Sequence, residues 1–97
     1  MSSDAAEANT FPFPVRVHHD RTAERLRVAV DVFPAAIDDV TVEVGSRKLR
    51  VTVDRTGKSY ERQLSPPSDR YVFGDDRRAI YNNGVLSVTL ETDRRDR

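Results

Sequence analysis

The sequence predicts an all-β chain folded as a two-layer antiparallel β-sandwich. Three observations predict it. Apolar and polar residues alternate with a period of two over much of residues 14–90, the signature of half-buried strands. Valine and threonine dominate the alternating segments, as β-propensity prefers. Asn83-Gly84 stands between two such segments, and this pair favours a tight hairpin turn because both central residues must take positive φ.

The elements follow in chain order. Met1 to Thr10 is small and polar without periodicity, so residues 1–13 are expected to form a flexible arm. The arm ends in Phe11-Pro12-Phe13-Pro14, where two prolines cannot donate to a ladder. Its aromatics are expected to fold back on the domain; the alternative is an exposed sticky motif. Val15–His18 reads as a first short strand and Leu26–Val32 as the clearest one, with Leu26, Val28, Val30 and Val32 on one face. Pro34 breaks the ladder and is expected to carry the chain to a second sheet. Val40–Val44 and Leu49–Val53 repeat the alternation. Tyr60, Arg62 and Leu64 share a face of the next strand, which stops at Pro66-Pro67. Ser68–Arg78 reads as an irregular charged connection, and Ala79–Tyr81 and Val85–Leu90 as the strands of the Asn83-Gly84 hairpin. Residues 91–97 are polar and are expected to be a flexible tail. About seven to eight short strands with no convincing helix make an immunoglobulin-like sandwich over residues 14–90.

Composition narrows the function. Ninety-seven residues allow one domain with a small core. Sixteen basic and sixteen acidic residues cancel, which argues against nucleic-acid binding through a broad electrostatic footprint. The chain has no cysteine, so a disulfide framework and a thiolate metal site are excluded, and a reducing, cytoplasmic setting is expected. No apolar run approaches the roughly 18 residues of a membrane span, so no membrane partner is expected.

Catalytic and metal chemistry find no support. His18 and His19 are adjacent in a strand, so their imidazoles point to opposite faces and cannot converge on one ion. Asp38-Asp39 and Asp75-Asp76 lie in polar connections without a glycine-centred calcium loop. Ser59, Ser65 and Ser87 lack a nucleophile elbow, and no glycine-rich phosphate loop exists. No enzyme activity and no cofactor is expected. Arg62 keeps two readings: a guanidinium that meets a carboxylate at an interface or in a buried pair, and one that snorkels to solvent along its stem.

Three segments resemble the small heat-shock, or α-crystallin (Hsp20-like), domain. Val30-Asp31-Val32-Phe33-Pro34-Ala35 stands where that family usually has Val-Asp-Leu-Pro-Gly. Tyr60 to Pro67 is similar to its Phe-x-Arg-x-Phe-x-Leu-Pro strand and puts Arg62 at the family's interface arginine. Ala79 to Leu86 is similar to its Ala-x-x-x-Asn-Gly-Val-Leu motif, which contains Asn83 and Gly84. The resemblance covers about residues 14–90. It implies an ATP-independent holdase that binds partly unfolded proteins. It also implies a protein-binding groove between the Val40–Val44 strand (Val40, Val42, Val44) and the Ala79–Tyr81 strand (Ala79, Tyr81).

Two departures qualify the expected assembly. The long loop with an extra, exchanged strand is replaced by Asp54-Arg55-Thr56-Gly57-Lys58, and no Ile-x-Ile anchor follows Leu90. A monomer or homodimer is therefore expected rather than a large oligomer. The trimmed form is also similar to co-chaperone and ATPase-associated relatives of the domain, which leaves an adaptor for one specific partner protein as the alternative.

Overall fold

A computed structural model of the protein describes residues 11–95. What was expected of residues 1–10 and 96–97 lies outside that range. The elements are β1 (Val15–Asp20), β2 (Arg25–Asp31), a 3-10 turn (Ile37–Asp39), β3 (Val40–Val44), β4 (Leu49–Arg55), β5 (Lys58–Leu64), β6 (Tyr71–Asn82) and β7 (Val85–Arg94). They form two antiparallel sheets, ordered β1-β2-β7-β6 and β3-β4-β5. This is the predicted sandwich. The chain leaves β2 at Phe33-Pro34, a cis peptide, and begins the second sheet at β3, as expected of that proline.

Register decides which residues meet. Leu26, Val28 and Val30 of β2 lie opposite Leu90, Val88 and Leu86 of β7, and all six are buried. Leu49, Val51 and Val53 of β4 supply the facing layer. Because side chains in a strand alternate, these central strands bury one row each and turn the other row to solvent. Asn83 (φ 52°) and Gly84 (φ 83°) make the predicted hairpin turn. Gly84 has a second constraint: a Cβ there would come within 2.8 Å of the Phe33 Cβ.

Three expectations need correction. Ser68–Arg78 is not an irregular connection throughout, since β6 begins at Tyr71. The alternation is hidden there by a register shift between Phe73 and Arg77, which removes the period-two pattern while keeping the pairing with β7. The tail is not free from residue 91: β7 runs to Arg94, and Thr92 is buried at 1% exposure although it is polar. Residues 11–13 are not part of a free arm either. Phe13 is in the core, Phe11 packs against it edge-on with ring centroids 5.2 Å apart, and Tyr60 meets Phe13 at 5.9 Å. Burying a ring of this size offsets the cost of ordering the lead-in.

Among the described residues no helix is long and apolar enough to cross a membrane, and no cluster of histidine and carboxylate side chains could hold a metal ion.

Candidate binding groove

The expected groove would lie between two edge strands. β3 pairs only with β4 and β6 only with β7, so each has one open side. Val40, Val42 and Val44 lie opposite the buried Val53, Val51 and Leu49, which puts them on the inner face of their sheet. Ala79 and Tyr81 lie opposite the buried Val88 and Leu86, which puts them on the inner face of theirs. The three valines and Tyr81 are half-buried and pack on the core, and Ala79 is exposed.

Hydrogen bonds tie β6 to the rest of the chain along this side, among them one from Phe73 N–H to the Ser46 carbonyl at 2.8 Å and two side-chain straps. At one end the Tyr81 hydroxyl donates to the Ala35 carbonyl at 2.5 Å. At the other, Arg77 donates from Nε to the Gly74 carbonyl at 2.7 Å and from Nη1 to the Val44 carbonyl at 3.1 Å. Ala79 lies on β6 between the two strap residues, and Val42 lies two residues before the Val44 carbonyl on β3. Val40 to Val44 spans about 13 Å at ~3.3 Å per residue, room for a short extended segment.

The backbone of β3 is pointed for such a segment. Gly45 N–H donates to the Lys48 carbonyl at 2.8 Å, closing the turn to β4. Antiparallel pairs alternate between bonded and non-bonded, so Val44, Val42 and Val40 turn their amides away from β4. The Arg77 contact to the Val44 carbonyl agrees with this, as does the Val40 N–H, which donates to the Ile37 carbonyl. Among the described residues, the N–H and C=O of Val42 face outward at the middle of the groove with no strand beside them. An edge of this kind accepts an added strand.

The expected site residues thus separate into three places. Val40, Val42, Val44, Ala79 and Tyr81 flank one side of the sandwich. Arg62 lies on β5, at the other edge of the three-stranded sheet, opposite buried Val51; it is exposed, and among the described residues it enters no ion pair. Asn83 and Gly84 sit at the hairpin tip. Arg77 and Ala35 went unnoticed in the sequence. Arg77 belongs to the charged stretch that reads as loop, and Ala35 contributes only a carbonyl, which leaves no trace in residue type.

Two carboxylates near the sheet ends are shifted. A hydrogen bond from the Ala23 amide, helped by Arg27, holds Asp20 below the usual carboxylate range. Desolvation, then the nearby charge of Glu91, pushes Asp93 above it.

No family model matches the sequence, and no curated protein matches it. Solved structures do. Heat shock protein 16.0 from Schizosaccharomyces pombe superposes with a TM-score of 0.68 at 21% identity, over 88% of this chain and 90% of that one. The fold is that of the small heat-shock proteins. The Del-C4 mutant of hsp14.1 from Sulfolobus solfatataricus P2 gives a TM-score of 0.64 at 18% identity, over 84% of this chain and 76% of that one. The A102D mutant of the same protein gives 0.62 at 17%, over 81% and 76%. The small heat-shock sandwich therefore accounts for most of the chain, and at these identities the likeness is one of fold.

Proposed function

We propose that the protein is an ATP-independent holdase of small heat-shock type, which binds extended segments of partly unfolded proteins and limits their aggregation. The observation that carries this reading is the groove: half-buried Val40, Val42 and Val44 beside Ala79 and Tyr81, with the outward amide of Val42 between them. An apolar anchor in the groove and backbone pairing along β3 would act together. The first supplies burial and the second supplies sequence tolerance, because every client has a backbone. The small heat-shock fold supports the same reading. The working unit is a monomer or homodimer, since the two-residue Thr56-Gly57 turn between β4 and β5 carries no strand to exchange.

The test is light scattering of a heat-labile enzyme with and without the protein, alongside Val42→Pro. The Val42 amide points away from β4, so proline removes the docking donor and leaves the β3–β4 ladder in place. Suppression by the parent protein, reduced at least about fivefold by Val42→Pro at an unchanged melting temperature, is the expected result. Absence of suppression at a molar excess of the parent protein counts against holdase activity. A single stoichiometric partner captured without heat would mark an adaptor instead.

A further inference from the structure

A cavity with no residue of β3 in its lining lies at one end of the sandwich. It is lined by His19, Arg21, Glu24, Arg70, Tyr71, Thr92 and Arg94, with a volume of about 450 Å³. Four separate parts of the chain build it: the end of β1, the turn into β2, the start of β6 and the end of β7. Backbone bonds fix its walls. Thr92 N–H donates to the Glu24 carbonyl at 2.9 Å, and Arg95 N–H donates to the Arg70 carbonyl at 2.6 Å. His19 and Tyr71 meet edge-on at 5.3 Å.

Two polar atoms of this lining are orphaned. Among the described residues, Thr92, 1% exposed, has no hydrogen-bond partner for its Oγ1, and buried His19 Nε2 has none either. A buried polar atom without a partner costs about 1–3 kcal/mol, so native proteins rarely keep two at one place without something to bind them. Thr92 also sits where the core row Leu86, Val88, Leu90 would continue, a position at which valine would fill the same volume without the penalty. The charge of the lining points to the ligand. Arg21, Arg70 and Arg94 line the cavity with one carboxylate residue, Glu24, and Arg21 and Arg70 are the cations that matter for a ligand. Among the described residues neither Arg21 nor Arg70 is in an ion pair.

We propose that this end cavity is a binding site for a small phosphorylated ligand. Guanidinium forks match phosphate oxygens in pairs, and a threonine hydroxyl and an imidazole nitrogen complete the oxygen shell. The volume exceeds what one phosphate fills, which fits a diphosphate or a phosphate carried on a small body. Among the described residues that line it, the only aromatic ring besides the imidazole is Tyr71, already engaged edge-on with His19, which makes a poor stacking platform for the successive bases of a nucleic acid.

Thermal unfolding tests this on the full chain, with inorganic pyrophosphate and glucose 6-phosphate as probes and sodium chloride at matched ionic strength as control. A ligand at ten times its dissociation constant should raise Tm by about 5 °C or more. A larger shift from pyrophosphate marks an inorganic diphosphate source, and a larger one from glucose 6-phosphate an organic phosphomonoester; either supports the site. Arg21→Gln with Arg70→Gln should weaken binding at least about tenfold. Thr92→Val supplies the second readout: the ligand-free protein should melt at the same or a higher temperature while its probe affinity falls at least about threefold. The proposal is overturned if neither probe shifts Tm beyond the chloride control. It is overturned equally if the variants bind the probes as well as the parent does, which would leave Thr92 hydrated by ordinary water. Tighter binding of a ten-residue oligothymidylate, lost in the same variants, would replace it with a nucleic-acid surface.

Discussion

The two long sides of the sandwich are closed by different means. On the side of β1 and β5, the lead-in folds inward and Phe13 plugs the gap, backed by Phe11 and Tyr60. On the side of β3 and β6 the buried ring belongs to the strand itself, Phe73 of β6, and no lead-in segment folds over it among the described residues. Hydrogen bonds from β6 tie this side together: Tyr81 to Ala35, Arg77 to Val44 and the Phe73 amide to the Ser46 carbonyl, with half-buried Val40 and Val42 on the facing strand. The difference teaches where stability resides and where an edge is left open. A dry aromatic plug contributes strongly and leaves nothing to dock on. Polar straps contribute little and leave the β3 edge half satisfied, the feature on which the proposed groove rests.

The comparison breaks most readily at the plug. Phe13→Ala should destabilise by about 3–5 kcal/mol, a large share of what a domain of this size possesses, and urea melts would show it as a lowered midpoint. The straps come next. Tyr81→Phe removes one hydrogen bond and leaves the ring, so a loss of about 1 kcal/mol is expected, with client suppression kept or improved as the groove opens. A loss as large as that of Phe13→Ala would mean that both sides are structural. Arg62 sharpens the contrast from the plugged side. Being exposed and outside any ion pair among the described residues, Arg62→Ala should change monomer stability by less than about 0.5 kcal/mol. A fall in native mass by light scattering would place it at a subunit contact.

The smallest effect is electrostatic and lies outside both sides. The folded state raises Asp93 above its ordinary 3.8, so the folded chain holds that proton more tightly than the unfolded one. Its contribution favours folding at low pH and is lost as pH rises from 3.8 through the folded value. Asp93→Asn should remove this slope and raise Tm slightly at neutral pH. Asp20 has the opposite sign: its support is present above 3.8 and is lost as pH falls through its lowered folded value. Melting curves of the two asparagine variants across that range would separate them.

Much of the fold was legible in the sequence because the information was local. Leu26-Val28-Val30 and Leu49-Val51-Val53 declare their faces by alternation, and Asn83-Gly84 declares its turn by the φ values it tolerates. The first half of β6 was hidden, because a bulge within a run of charges destroys the alternation on which such a reading depends. The end of β7 was hidden because Thr92 is polar and buried at once. The groove valines, Ala79 and Tyr81 were named from family resemblance, while periodicity supplied only that the valines share a face. The straps and the end cavity had no sequence signal. Arg77 acts through a backbone carbonyl 33 residues away, and Arg21, Arg70 and Arg94 converge only once β1, β6 and β7 are in place.

The pairing of β2 with β7 has a kinetic consequence. The hairpins of β1–β2, β4–β5 and β6–β7 join near neighbours and can form in about 1–10 μs. Arg25 must find Glu91 and Val30 must find Leu86 across most of the chain, and until they do neither face of the larger sheet is continuous. Closing so long a loop before any reward arrives makes this zip the slow event of folding. While it is open, the apolar rows Leu26-Val28-Val30 and Leu86-Val88-Leu90 are bare, which leaves unpaired strands open to association with other chains.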